Sequence, residues 1–287
     1  MSNPVIVGVD DVASSTPAVD WAADEARLRS ARLHLVHARL WEPHQAPDDA
    51  AQEVDTGGAV LTELVLRARR RYPELEVSSV GLDDVPRRAL VELSAEAQLL
   101  VVGSRGTGGF PDLLTGSTAL HVAAYATCPA VVLPKRPQDS GGDGATGAVV
   151  VGVQGREPAE ELLFFAFETA QRRQLPLRVV HAWSYPLVSV GRSSPPVYEK
   201  GHVAAEEAGL VTALLADWRQ KYPDVAVEED VVRSGAARHL VALSASCRLL
   251  VVGRRGNPDG PLGRLGSVSQ AVVHHARCPV AVVPIEE

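Results

Sequence analysis

A chain of 287 residues, 46% of them apolar, is long enough to bury the cores of two ordinary domains. Its formal charge of −7 argues against an electrostatic grip on nucleic acid or an anionic membrane, and no apolar run approaches the roughly 18 residues of a membrane span. The opening MSNPVIVGVDD carries no basic segment and does not read as a signal peptide; Cys128, Cys247 and Cys278, widely spaced and without a CxxC, fit buried thiols in a reducing compartment. The expected location is the cytoplasm.

In chain order, VIVGV is the first run rich in branched residues and reads as a buried strand. TPAVDWAADEARLRSA follows as a helix, with Thr16 as its expected cap, Pro17 in the first turn and Val19, Ala22, Ala23 and Ala26 at helical spacing. LHLVHA is a second strand. RARRR, residues 67–71, reads as the solvated face of a helix that ends before Tyr72-Pro73. VSSVGL is a third strand, PRRALVELSAEAQ a helix with Ala89, Leu90, Leu93 and Ala97 on one side, and LLVVG a fourth strand. A glycine-rich loop then leads into the helix TALHVAAYAT and the strand AVVLP. Such alternation predicts an α/β fold whose parallel sheet is covered by helices on both faces with right-handed crossovers.

The pattern then recurs. Gly253 stands 150 residues after Gly103, and the same offset relates Cys278-Pro279 to Cys128-Pro129 and Tyr222-Pro223 to Tyr72-Pro73. Upstream the offset is 144, relating VGVQ at Val151 to VGVD at Val7 and VVHA at Val179 to LVHA at Leu35. Six extra residues are expected in SYPLVSVGRSSPPVYEKG. The predicted organisation is a first domain over 1–137, a linker over 138–147 and a second domain over 148–287, the linker being polar and glycine-rich. SGGDG within it is similar to the SGGxDS loop of pyrophosphate-cleaving ATP enzymes, but it precedes a strand and lacks the final serine, so it reads as linker.

The glycine loops carry the chemistry. Gly103 and Gly106 follow the fourth strand, nine residues intervene, and Gly116-Ser117 opens a helix; Gly253, Gly256 and Gly266-Ser267 repeat that spacing. Glycine lets backbone approach a ligand closely, and a helix N-terminus presents unpaired N–H groups to an anion. No GK[ST] occurs, so this is phosphate-binding chemistry without a P-loop lysine. Hydrogen bonds to charged groups contribute about 1.5–3 kcal/mol each, so a few such donors support the roughly −8 kcal/mol of a micromolar ligand.

With G-x2-G-x9-G-S after a fourth strand in both copies, the chain resembles the universal stress protein family in its ATP-binding branch, almost end to end. The resemblance implies two tandem, doubly wound, Rossmann-like five-stranded sheets in the order 3-2-1-4-5. It also implies ATP with its phosphates in the loop and adenine by the ends of strands one to three, often with Mg²⁺. Carried over by position, Gly8 and Asp10 line the nucleoside side, with Asp10 the one candidate metal ligand; Ala38 and Val80 border adenine; and Gly103, Ser104, Arg105, Gly106, Gly116 and Ser117 surround the phosphates. The second-copy counterparts are Gly152, Gln154, Ala182, Val232, Gly253, Arg254, Arg255, Gly256, Gly266, Ser267 and Ser269. Gln154 replaces a carboxylate, and in the first copy Ala119 replaces the hydroxyl of Ser269. In the family the fifth strand is an edge that pairs two domains, so a pseudo-dimer within one chain is expected; pairing of whole chains as a homodimer is left open.

Other residues read more plainly. His37 and His181 recur at the end of the second strand, where a structural hydrogen bond is expected, and His274-His275 point in different directions on a helix. Of Asp10 and Asp11 only one faces a ligand, since neighbouring strand residues face opposite ways. Three function classes follow: a stress or growth regulator whose bound ATP biases conformation or the choice of a protein partner; a slow ATPase or self-phosphorylating enzyme using Asp10 and Mg²⁺; and an interaction scaffold that binds no nucleotide.

Overall fold

The computed structural model describes residues 3–39, 47–104, 115–134, 147–155, 160–184, 202–255 and 265–285, with side chains from residue 57 in the second of these segments. The first copy contains β1 (Val5–Val9), α1 (Val12–Leu28), β2 (Leu33–Ala38), α2 (Pro47–Arg71), β3 (Val77–Leu82), α3 (Pro86–Leu93), β4 (Leu99–Gly103), α4 (Ser117–Tyr125) and β5 (Ala130–Leu133). The second contains β6 (Val149–Gly152), α5 (Glu160–Arg173), β7 (Leu177–Trp183), α6 (His202–Lys221), β8 (Val227–Arg233), α7 (Ala236–Leu243), β9 (Leu249–Arg254), α8 (Ser267–His275) and β10 (Val280–Pro284).

All ten strands join one sheet in the order β3-β2-β1-β4-β5-β10-β9-β6-β7-β8. Each half has the expected order 3-2-1-4-5 and is parallel throughout; the one antiparallel pairing is the junction, with Val280, Ala281 and Val282 opposite Val132, Val131 and Ala130. The two fifth strands thus meet at the centre, and the halves are related by a pseudo-twofold axis. Alternation along the strands distributes the cores. Val5, Val7, Leu99 and Val101 face α1 and α2 and join α5 and α6 in a layer that crosses the junction, while Ile6, Leu100 and Val102 face α3 and α4.

The copies share backbone detail that their residues do not announce. Ser30 and Gln174, 144 residues apart, both adopt left-handed backbone just past α1 and α5, with φ of 50° and 53°. The recurring tyrosine before proline has a role as well: Tyr72 Oη donates to Asp24 at 2.8 Å and Tyr222 Oη to Glu168 at 3.2 Å, so each ties its helix end to the first helix of its copy.

Three sequence expectations change. The cap of α1 is Asp11, not Thr16: its carboxylate accepts from the N–H and hydroxyl of Ser14, so the helix starts at Val12 and Pro17 falls inside it. Thr16 Oγ1 instead donates to Val12 O at 2.7 Å. The arginine run is not a purely solvated face, because Arg67 and Arg71 pair with Asp20 and Asp24 of α1 and Arg69 donates to Val77 O. The helix α3 stops at Leu93 in a 3-10 turn over Ser94–Glu96, where Ser94 Oγ donates to Val91 O. The three cysteines are buried and unpaired as disulfides; burial pushes the Cys128 thiol up to about 12, and the sulfurs of Cys247 and Cys278 lie 3.3 Å apart. The linker and residues 185–201, where the insertion is expected, lie outside the described residues.

Because β5 and β10 are central strands, the amides of 130–132 and 280–282 should exchange with solvent only on global unfolding, while the edge strands β3 and β8 exchange earlier. Hydrogen exchange read by mass spectrometry checks this; rapid exchange at 130–132 would mean that the two halves are not one sheet.

Candidate functional site

In each half the first strand lies between the second and the fourth, so the chain leaves neighbouring strands toward opposite faces: α1 covers one face and α4 the other. Strand ends at such a reversal diverge and leave a crevice at the carboxyl edge of the sheet. Because the junction is antiparallel, the two crevices open at opposite edges of the ten-stranded sheet.

On the β1 side, Asp10 is exposed, and its N–H donates to Ser15 Oγ at 2.9 Å. Burial would raise the Asp11 carboxyl, but its hydrogen bonds with Ser14 outweigh that and hold it below its ordinary value. Asp11 thus serves the helix, and Asp10 is left at the crevice. Gln154 is exposed at the same place after β6. Gly8 and Gly152 have a packing reason for their lack of a side chain: an added Cβ would stand 2.8 Å from Leu90 and 3.0 Å from Leu240. His37 Nδ1 and His181 Nδ1 donate to the carbonyls of Val9 and Val153 at 3.1 and 3.2 Å, tying the ends of the first two strands; His181 Nε2 also meets Glu207 at 2.9 Å.

On the β4 side, Ser104 is buried and its N–H donates to Leu133 O. Its carbonyl accepts from Gly116 N–H at 2.5 Å, closing the stem of the loop, and its hydroxyl is buried without a hydrogen-bond partner among the described residues. Gly116 and Gly266 occupy the N-cap positions of α4 and α8 with ordinary extended backbone, φ −71° and −69°. Conformational freedom is therefore not their role. Neither gives a side-chain cap, no acidic residue stands in either first turn, and a Cβ on Gly266 would meet nothing within 4 Å. The first N–H groups of both helices, with exposed Ser117 and Ser267 beside them, carry no side-chain cap and stand at the positive end of the helix dipole. Arg105, Gly106 and Gly256 lie outside the described residues.

The second copy differs in several groups. Arg254, at the position of Ser104, is buried and donates from Nη2 to Ala126 O of the first copy at 2.6 Å. The Ser269 hydroxyl is turned to Gly253 O at 2.7 Å, where Ala119 has none to offer, and Gly253 itself backs onto Ile285. Thr115 Oγ1, at the end of the first loop, crosses the junction to Val273 O at 3.3 Å. Arg255 is half-buried after β9.

Strand register corrects one pairing of positions. Ala38 lies opposite Leu82 and Ala182 opposite Val232, so Leu82 rather than Val80 is the counterpart of Val232; Val80 lies opposite Val36 and its counterpart is Asp230. The 150-residue offset carried that signal. Asp230 accepts from Arg178 at 2.8 Å and meets His239 Nε2 at 2.9 Å. Burial would raise its carboxyl, but His239 and Arg178 outweigh that and hold it below 3.8. This strand position is thus apolar in the first copy and ionic in the second.

Among the described residues no group of three or more His, Cys, Asp or Glu gathers as for a metal ion, and no helix is long and apolar enough to cross a membrane. The sequence model of the universal stress protein family matches residues 1–134 and again 146–284. Universal stress proteins Rv2005c and Rv2623 of Mycobacterium tuberculosis are each 35% identical to this chain over 97% of it, covering 96% and 95% of their own lengths. A universal stress protein of Archaeoglobus fulgidus, solved by crystallography, shares the fold over 100% of this chain and 98% of its own, with a TM-score of 0.71 at 15% identity.

The Asp230 network gives a pH signature. A carboxyl held low in the folded state adds stability that is complete above its unfolded value near 3.8 and is lost as pH falls through the folded value. Asp230→Asn should lower the unfolding temperature at pH 7 and flatten its decline below pH 4, read by thermal denaturation across pH; an unchanged acid limb would contradict the network.

Proposed function

The chain belongs to the universal stress protein family, and on that premise we propose that it is a nucleotide-binding regulator, each copy holding one adenine nucleotide, ATP, whose occupancy biases conformation or the binding of a protein partner in a stress or growth response. The observation that carries the reading is the pair of helix N-termini at Gly116 and Gly266, neither with a side-chain cap and each following a strand beside the reversal. Their N–H groups and serines supply donors to phosphate oxygens, each such bond contributing about 1.5–3 kcal/mol. The buried Ser104 hydroxyl adds a donor at the stem of the first loop. Mg²⁺ travelling with a triphosphate would find a carboxylate, Asp10, in the first copy and an amide, Gln154, in the second.

Titration calorimetry on the nucleotide-stripped protein should give two sites. Gly116→Glu and Gly266→Glu should each remove one and spare the other, because the crevices open at opposite edges of the sheet. Gly266→Glu should leave the unfolding temperature within a few degrees of the parent, since its Cβ enters open space. Asp10→Ala should weaken the first site, and Gln154→Ala should matter less in the second. No binding in the parent would sink the reading in favour of a nucleotide-free scaffold.

ATP should stay largely intact over many minutes, since the described loop ends offer donors for charge rather than a base aimed at water. Multiple-turnover hydrolysis that disappears in Asp10→Ala with binding retained would instead establish the enzyme reading, with Asp10 in its chemistry.

A further inference from the structure

The pseudo-twofold axis passes between α1 and α5, where charge is buried. Glu25, 1% exposed, accepts from Arg29 Nε at 2.6 Å through one oxygen and from Arg173 Nη2 at 2.5 Å through the other. The arginines are themselves enclosed, with side chains 10% and 11% exposed. Each also lies over an aromatic ring of the other copy, Arg29 over Phe165 at 5.3 Å and Arg173 over Trp21 at 5.2 Å. The 144-residue offset makes Arg29 the counterpart of Arg173 and aromatic Trp21 that of aromatic Phe165, so the arrangement keeps the same kind of group at every position but one. The counterpart of Glu25 is Thr169.

That single difference leaves a specific set of atoms without hydrogen-bond partners. If residue 169 were a glutamate, symmetry would give its carboxylate Arg173 Nε and Arg29 Nη2, the images of the two groups that Glu25 holds. Those two nitrogens, together with Thr169 Oγ1, are buried and make no hydrogen bond among the described residues. Buried donors left in this state are destabilising, and more so when charged. The cluster also carries two guanidinium charges against one carboxylate. Water would satisfy the donors but not the excess charge.

We propose that a small monovalent anion of chloride's charge and size binds beside the axis, across from Glu25, between Arg29 Nη2, Arg173 Nε and Thr169 Oγ1, standing in for the second carboxylate. The site is independent of the nucleotide crevices, which lie at the carboxyl edges of the sheet rather than between these helices. Its occupant cements the face of the junction that α1 and α5 cover, so halide concentration sets how firmly the two copies are held.

Two measurements on the full chain test this. Crystals soaked in bromide should show an anomalous peak bridging the three atoms; ordinary water density there without anomalous signal overturns the proposal. The unfolding temperature should rise saturably, by about 2–4 °C, as chloride replaces gluconate at constant ionic strength. Thr169→Glu, which supplies the carboxylate covalently, should lose that chloride response and match the chloride-saturated parent without halide. A parent indifferent to chloride, or a Thr169→Glu protein that responds as the parent does, overturns the proposal; if the variant does not fold, the bromide peak in the parent decides alone.

Discussion

The antiparallel pairing of β5 with β10 is the constraint on which the arrangement of everything else rests. Each fifth strand would otherwise be an open edge with a row of unsatisfied backbone groups, and joining them removes both edges at once. The join sets the pseudo-twofold axis and brings α1 against α5 on one face. Because it runs antiparallel, it also sends the carboxyl ends of the two halves to opposite edges of the sheet. Two crevices follow, separate in space yet anchored to one rigid sheet. Arg254 and Thr115 cross the junction from the ends of the glycine loops, so each loop is fastened to the other copy as well as to its own.

Near-symmetry of the backbone makes the departures from symmetry informative. Ser30 and Gln174 share a left-handed turn, and the tyrosine hydroxyls of 72 and 222 meet equivalent carboxylates, so the frame has been kept. Among the groups that differ are Asp10 against Gln154, Ser104 against Arg254, Ala119 against Ser269, Val80 against Asp230, and Glu25 against Thr169. Under the proposed function, such a chain holds the same class of ligand in two electrostatically distinct settings. The first copy offers a carboxylate and a serine hydroxyl with no partner among the described residues, the second an amide and an arginine engaged at the junction.

Much of this was written locally in the sequence. Runs of valine and leucine flanked by helical spacing determine strand placement, and the repeat offset determines which strands correspond; the order within each half came from the resemblance to the family, not from these patterns. The glycine spacing likewise located both helix N-termini. What stayed hidden depends on tertiary neighbours. Gly8 has a packing neighbour in Leu90, and the Arg254 guanidinium a partner in Ala126 O, that no local pattern announces. Thr16 and Pro17 announce a helix start that Asp11 makes earlier, because a carboxylate accepting Ser14 N–H stabilises the preceding turn. The slip between Val80 and Leu82 arose where both lie on one side of a strand, so burial alone does not separate them and only register does.

The central claim is that one continuous sheet carries two separate crevices, each filled by an adenine nucleotide. Its most direct test is to denature the purified full chain under conditions that preserve triphosphates and quantify the released ligand by mass spectrometry against protein concentration, after saturation with ATP and removal of the excess. The account predicts two adenine nucleotides per chain. Recovery of none would contradict it.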